Sequence, residues 1–267
     1  MQAEDPFAAL DVALAPRALV ALGGTLDVPT LVSAYRAGCF PWPSDEDEPA
    51  LERQARRLVR RGQVPLLPGD DGLVPWCSPD PRAVLLADQV VVRRSLRQRL
   101  RTCGWTATLD AAFDDVVAGC ADRSSTWITA RMRAAYLALH RDPPSPTTGA
   151  HNVEVWDGEE LVGGLYGVLV GSVFCGESMF HRATDASKVA LVELCARLLE
   201  AGGRLVDVQE ETEHLTSLGQ VLVRRRDYLA VLTALRDQSV GLPVERRPVR
   251  RLAATAPERV AGRPRTG

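Results

Sequence analysis

The chain has 267 residues, 46% hydrophobic and 25% charged, and its 32 basic residues nearly balance 34 acidic ones for a net charge of −2. That balance excludes a wholly basic nucleic-acid coat, a disordered acidic protein and a low-complexity polymer. The apolar runs at residues 83–87 and 189–194 are far shorter than the roughly 18 residues of a membrane span, and the acidic start lacks the cationic and apolar regions of a signal peptide. Six scattered cysteines without a CxxC pair, and no histidine at metal-ligand spacing, point to a reduced cytoplasm and no structural zinc. Lys188 is the only lysine, so nearly every cation is a planar arginine fork.

In chain order, an acidic run at residues 45–48 precedes Arg53, Arg56, Arg57, Arg60 and Arg61 at helical spacing, which reads as an exposed charged helix or loop between two segments rich in Pro and Trp. Residues 89–109 contain no acid. A helix over residues 93–102 would set Arg93, Arg94, Arg97 and Arg101 within an arc of about 100°, beside a buried seam of Leu96 and Leu100. This is either a solubilising face or a phosphate grip. A strand at 105–109 and a helix at 112–121 follow, then a helix capped by Thr129 that buries Met132, Tyr136 and Leu139. A hairpin begins at 153–156 with its turn at Asp157-Gly158, and strands continue over 161–170 and 172–174. A helix over 186–200, capped by Thr184 or Asp185 and ended by Gly202 and Gly203, leads to a buried strand at 205–209. A short strand at 221–223 and a helix over 227–236 complete an α+β layer arrangement. The tail at 246–267 holds seven arginines and one glutamate among Pro, Ala, Gly and Thr, and reads as disordered. Without it, 25 basic and 33 acidic residues remain, a body of net charge −8, so any polyanion site on the folded part must be local.

Three segments put polar groups where packing would favour apolar ones. In residues 174–180, Glu177 and Ser178 interrupt an apolar stretch directly after a strand, beside Gly176. Asp207 and Gln209 share one face of an interior strand by two-residue alternation. They complete a polar network, hold a substrate group or, with Glu210, Glu211 and Glu213 following, mark the strand running out into solvent. Trp42, Trp76 and Trp127 are core anchors or base-stacking platforms. His140, His151, His181 and His214 lack a nucleophile context. No glycine-rich phosphate loop of either common spacing occurs, which disfavours ATP or dinucleotide chemistry.

Read together, "LVSAYRAGCFPW" (31–42), "WCSPDPRAVL" (76–85), "TWIT" (126–129), "EVWDGEELVGGLYGV" (154–168), "FCGESMF" (174–180), "ASKVAL" (186–191) and "DVQEETEHLTSLG" (207–219) resemble the bacterial leucyl/phenylalanyl-tRNA-protein transferases in order and spacing. The resemblance implies a small N-terminal domain (1–81), a catalytic domain with an acetyltransferase-like (GNAT-like) fold (82–245), and an Arg-rich tail (246–267). It implies transfer of Leu, Phe or Met from aminoacyl-tRNA to the α-amino group of proteins beginning with Arg or Lys, marking them for degradation. No cofactor or metal is expected, because the donor ester is already activated, and the protein is expected to be a cytoplasmic monomer. By the same resemblance Gln209 sits at the attacking amine, Asp207 orients Gln209, and Glu177 lines the cleft. Leu165, Phe174, Met179, Leu191, Leu194 and Val206 form the side-chain pocket. Trp42 and Trp127 hold the 3′ adenosine, and Arg93, Arg94, Arg97 and Arg101 grip acceptor-stem phosphates. Lys188 occupies a position where the family also carries Lys. Leu165 and Leu194 replace bulkier Met and Phe types, Thr212 replaces an Asn type, and the charged stretch at 45–71 is longer than the family's connection. The alternatives are an acetyl-CoA-dependent acetyltransferase, whose glycine-rich pyrophosphate loop is missing at 184–188, and a non-enzymatic RNA-binding adaptor.

Overall fold

A computed structural model describes residues 5–42, 49–69, 72–122 and 126–255. Strands β1 (Leu19–Gly23), β2 (Phe40–Pro41), β3 (Leu66–Leu67) and β4 (Pro75–Cys77) form a small sheet in the order β2-β4-β1-β3. Two helices interleave with it in the chain, α1 (Val28–Arg36) and α2 (Pro49–Arg60). Helix α1 starts where the Asp27 carboxylate accepts the Thr30 N–H at 2.9 Å, satisfying one orphan donor of the first turn. Helix α2 carries the expected run of arginines, whereas the acidic run at 45–48 lies outside the described residues. Trp76 is a core anchor, fully buried with its indole N–H donating to the Gly23 carbonyl at 2.8 Å.

The larger sheet has eight strands: β5 (Arg82–Leu86), β6 (Thr106–Leu109), β7 (Thr148–Asp157), β8 (Glu160–Val170), β9 (Val173–His181), β10 (Leu205–Gln209), β11 (Val221–Val223) and β12 (Arg247–Pro248). Their order is β11-β5-β10-β9-β8-β7-β6-β12, and only the central β9–β10 pair is parallel. The helices of this half are α3 (Arg94–Thr102), α4 (Phe113–Ala121), α5 (Ala130–Arg141), α6 (Ala186–Glu200), α7 (Glu213–Thr216), α8 (Arg225–Leu235) and α9 (Leu252–Thr255). A parallel strand pair requires a long crossover, and α6 supplies it between β9 and β10.

Two apolar layers sandwich this sheet. Leu165, Leu169, Phe174 and Val206 pack in one layer with residues of α3, α6 and α9, whereas Val84, Tyr166, Val168 and Cys175 pack in the other with residues of α1, α4, α5, α8 and the small sheet. Several expected features stand. Thr129 caps α5 by accepting the Met132 N–H at 3.2 Å, and Met132, Tyr136 and Leu139 are buried. Leu96 and Leu100 form the buried seam of α3.

Other expectations are corrected. The hairpin turn is centred on Gly158-Glu159, because Asp157 still pairs with Glu160. Asp185 precedes α6 in the left-handed region (φ 72°) and its side chain makes no cap; the carboxylate meets Lys188 Nζ at 2.8 Å instead. The segment around Glu177 lies inside β9 rather than after a strand, since β8 pairs with β9 as far as His181.

The largest correction concerns the C-terminal tail. Residues 246–255, expected to be disordered, add β12 to the sheet edge and bury Val249, Leu252 and Ala253. Charge pairing explains why an arginine-rich segment orders here. Glu193 and Arg197 on α6 are both fully buried and joined at 2.6 Å. Arg251 reaches the same Glu193 at 2.6 Å, Arg247 meets Glu200 at 2.5 Å, and Arg197 donates to the Glu245 carbonyl at 2.8 Å. The tail arginines thus complete acids of α6 rather than repelling one another. Residues 256–267 lie outside the described residues.

Candidate functional site

The β9–β10 ladder lasts only three pairs and ends at Cys175 opposite Asp207. Beyond that point both strands line one cavity of about 650 Å³, with β9 contributing residues 176–181 and β10 contributing Val208 and Gln209. Its apolar wall is Leu165, Met179, Leu191, Leu194 and Val206; its rim includes Trp42 and Trp127. Five of the six expected pocket residues therefore meet in one cavity. Phe174 does not: it is fully buried in the layer beneath, against Gly167, where any Cβ would sit 2.6 Å from the Phe174 ring.

A β-bulge positions Glu177. In the β8–β9 register Tyr166 faces Ser178 while Gly167 faces Gly176, so Glu177 is the extra residue. The consequence is visible in the core. Phe174 and Phe180 are separated by an even number of positions, yet they pack on opposite faces of the sheet. Gly167 is required here, since a Cβ would lie 2.2 Å from the Cys175 carbonyl oxygen.

Both Glu177 oxygens are engaged. Gln209 Nε2 donates to Oε1 at 2.6 Å, and Tyr136 Oη donates to Oε2 at 3.0 Å; Tyr35 Oη lies 2.6 Å from Tyr136 Oη. Glu177 is 8% exposed. Burial raises its carboxyl to about 7, against the hydrogen bonds from Tyr35, Tyr136 and Gln209, which pull it down. Burial also pushes both phenols upward, with the Glu177 charge adding to the effect, so they remain donors. Since Glu177 uses the amide nitrogen of Gln209, the amide oxygen is the acceptor left for a ligand in the cleft.

Asp207 departs from the expected geometry. The β10–β5 register shifts between Asp207 and Gln209, and Gln209 has φ 66°, so simple alternation stops there. Gln209 lines the cavity, whereas Asp207 does not. The Asp207 carboxylate, 0% exposed, takes Arg82 Nε at 2.8 Å and Nη2 at 2.6 Å, Tyr228 Oη at 2.7 Å and the backbone N–H of Gln209 at 3.0 Å. The guanidinium of Arg82 is sandwiched between the Phe40 and Tyr228 rings, 4.8 and 4.7 Å from their centroids. Asp207 thus holds the Gln209 backbone, not its amide. Sequence reasoning missed Arg82, Tyr228, Tyr35 and Tyr136; each lies far along the chain from its partner, and no local spacing marks the pairing.

Trp42 and Trp127 are nearly parallel, with centroids 6.0 Å apart at 17°, and Trp42 is 37% exposed. Glu210, at the solvent end of β10, is exposed on the cavity lining. Thr212 also lines it while capping α7 through the Leu215 N–H at 3.2 Å. The arginine stripe, on α3 and its N-cap Arg93, is not part of the cavity lining. Arg93, Arg94 and Arg101 are exposed, whereas Arg97 is half-buried and donates to the Ala253 carbonyl at 2.6 Å, so it also clamps the C-terminal segment. No helix among the described residues is long and apolar enough to cross a membrane.

Comparison with known proteins connects this site to a chemistry. Residues 84–233 match the profile of a family described as leucyl/phenylalanyl-tRNA protein transferase, and residues 24–51 match that of its N-terminal domain. The chain is 42% identical over 229 residues to the leucyl/phenylalanyl-tRNA–protein transferase of Shewanella baltica strain OS155, covering 84% of each chain. It is 44% identical over 243 residues to that of Chromohalobacter salexigens, covering 89% of this chain and 82% of the relative.

Proposed function

The chain belongs to the leucyl/phenylalanyl-tRNA–protein transferase family and is an aminoacyltransferase that moves an amino acid from aminoacyl-tRNA to a protein; from that premise we propose how its cleft does so and on which acceptors. The donor's 3′ adenine slides between Trp42 and Trp127. Two ring-to-base contacts need a plane separation of about 7 Å, so the pair, with centroids now 6.0 Å apart, opens by at least about 1 Å. The donor side chain enters the apolar wall of Leu165, Met179, Leu191, Leu194 and Val206, which accepts Leu, Phe or Met. Arg93, Arg94 and Arg101 take phosphates of the acceptor stem.

The reaction joins the acceptor's α-nitrogen to the ester carbonyl carbon and breaks the bond to the ribose oxygen, which leaves as a hydroxyl carrying the proton lost by the amine. An α-amino group titrates near 8, so about a tenth is neutral at pH 7. The amide oxygen of Gln209 accepts an N–H from this amine and aims its lone pair; a neutral amide is too weak a base to remove the proton outright. Glu177 fixes the amide's orientation, and Asp207 with Arg82 fixes the backbone beneath it. Effective positioning of two reactants is the main contribution such a site can make to an already activated ester.

Acceptors begin with Arg or Lys on this reading, and Glu210 takes that cation at the cleft rim. Glu177 is the less suitable partner, because its oxygens already serve Gln209 and Tyr136. Strands that part beside a bulge, joined by a helical crossover, support the acetyltransferase-like fold. A monomer working in the cytoplasm belongs to the same reading. The observation that carries it is the Gln209 amide, held by buried Glu177 and set in the same cavity as the aliphatic wall and the two tryptophans. The test is transfer of labelled Phe from Phe-tRNA to peptides starting with Arg, Lys or Ala. The expected result is product with Arg and Lys only, lost in Gln209→Ala and reduced for charged acceptors in Glu210→Gln. Equal labelling of the Ala-initiated peptide would refute the acceptor assignment.

A further inference from the structure

Helix α2 carries Arg53 and Arg57, and Arg61 follows its last turn. At about 100° per residue these three fall within an arc of about 80° and span about 12 Å along the axis. They line a second cavity of about 630 Å³ with Arg17, Gln54 and Gln63. None of these four arginines makes an ion pair among the described residues. Elsewhere, exposed Arg224 pairs with Asp227, and half-buried Arg133, Arg36 and Arg247 pair with Asp114, Asp237 and Glu200. Four planar cations around one concavity, with amides and no carboxylate among its described residues, form a cradle for phosphate oxygens.

We propose that this groove is a second contact for the aminoacyl-tRNA, gripping backbone phosphates of its acceptor arm. The inference rests on the transferase reading and deepens it. Chain length favours this occupant over an acidic protein. From Trp42, seven extended steps followed by one helical turn reach Arg53, which puts it at most about 30 Å from the tryptophan that takes the 3′ adenine. A phosphate-bearing arm that leaves the cleft toward this side of the molecule is long enough to reach α2. The charge balance agrees, because a body that is otherwise net acidic repels RNA except at such patches.

The experiment compares two donors, Phe-tRNA and phenylalanyl-adenosine, which has no acceptor arm, using the full chain and its R53Q/R57Q/R61Q variant with an Arg-initiated peptide. The expected result is a KM for Phe-tRNA raised on the order of 10- to 100-fold, with phenylalanyl-adenosine turnover unchanged. The slope of log affinity against log salt for deacylated tRNA should shrink by about 2 to 3. Single Arg57→Gln, which should shrink it by about 1, serves if the triple variant folds poorly. An unchanged tRNA KM and slope would overturn the proposal. So would a raised KM for an acidic protein acceptor with tRNA unaffected, which would give the groove to the acceptor. A wild-type chain inactive with both donors would instead overturn the transferase reading beneath it.

Discussion

Replacing Asp207 with Asn separates support from chemistry in this site. The carboxylate is fully buried and accepts four hydrogen bonds, two from Arg82, one from Tyr228 and one from the Gln209 backbone. Asn keeps the size but removes the charge, leaving the Arg82 guanidinium buried between two rings without its counter-ion. Breaking one partner of such a pair costs roughly 3–5 kcal/mol. For a chain of this size that lowers Tm by on the order of 10 °C. Because Asp207 does not line the cavity, donor binding should hold while kcat falls through the displaced Gln209 backbone. The double variant Asp207→Asn with Arg82→Leu should recover part of the lost stability, since neither charge is then stranded. Thermal melts read alongside steady-state kinetics with Phe-tRNA check this. A Tm within about 2 °C of wild type together with a collapsed kcat would refute the reasoning, since the carboxylate would then act in the chemistry itself.

Further outcomes follow from the same geometry. Glu177 is protonated in the folded chain up to about pH 7, whereas its ordinary carboxyl value is 4.5. Its stabilising contribution is therefore fully present below pH 4.5 and is lost as the pH rises through 7, amounting to about 3 kcal/mol. Glu177→Gln should flatten that part of the stability curve in urea titrations, and an unchanged curve would argue against a buried neutral carboxyl. Trp42→Ala should raise the KM for Phe-tRNA roughly 5- to 100-fold with little change in kcat, the loss of about 1 to 3 kcal/mol of base stacking. Leu194→Phe fills the apolar wall and should lower Phe transfer relative to Leu about tenfold in competition assays with both donors.

Much of the fold is legible because helices announce themselves locally. The Thr129 cap, the Leu96 and Leu100 seam and the short strand at 205–209 each follow from pattern over a short window. Parity is what local pattern hides. The Glu177 bulge and the left-handed Gln209 shift the two-residue alternation in the strands that build the cleft, so Asp207 and Gln209 part company and Phe174 drops out of the pocket. Motif order still finds Glu177, Gln209 and both tryptophans, because a resemblance does not depend on parity. The arginine-rich terminus misleads for another reason. Its partners on α6, Glu193 and Glu200, lie 58 and 47 residues from Arg251 and Arg247, and composition alone sees only the cations.

The most direct measurement is a crystal structure of the chain with a non-hydrolysable phenylalanyl-adenosine analogue. Adenine is expected between Trp42 and Trp127, the phenyl ring among Leu165, Met179, Leu191, Leu194 and Val206, and the reacting carbonyl within reach of the Gln209 amide oxygen. Analogue bound outside this cavity, or seated in it with the carbonyl turned away from Gln209, would contradict the account.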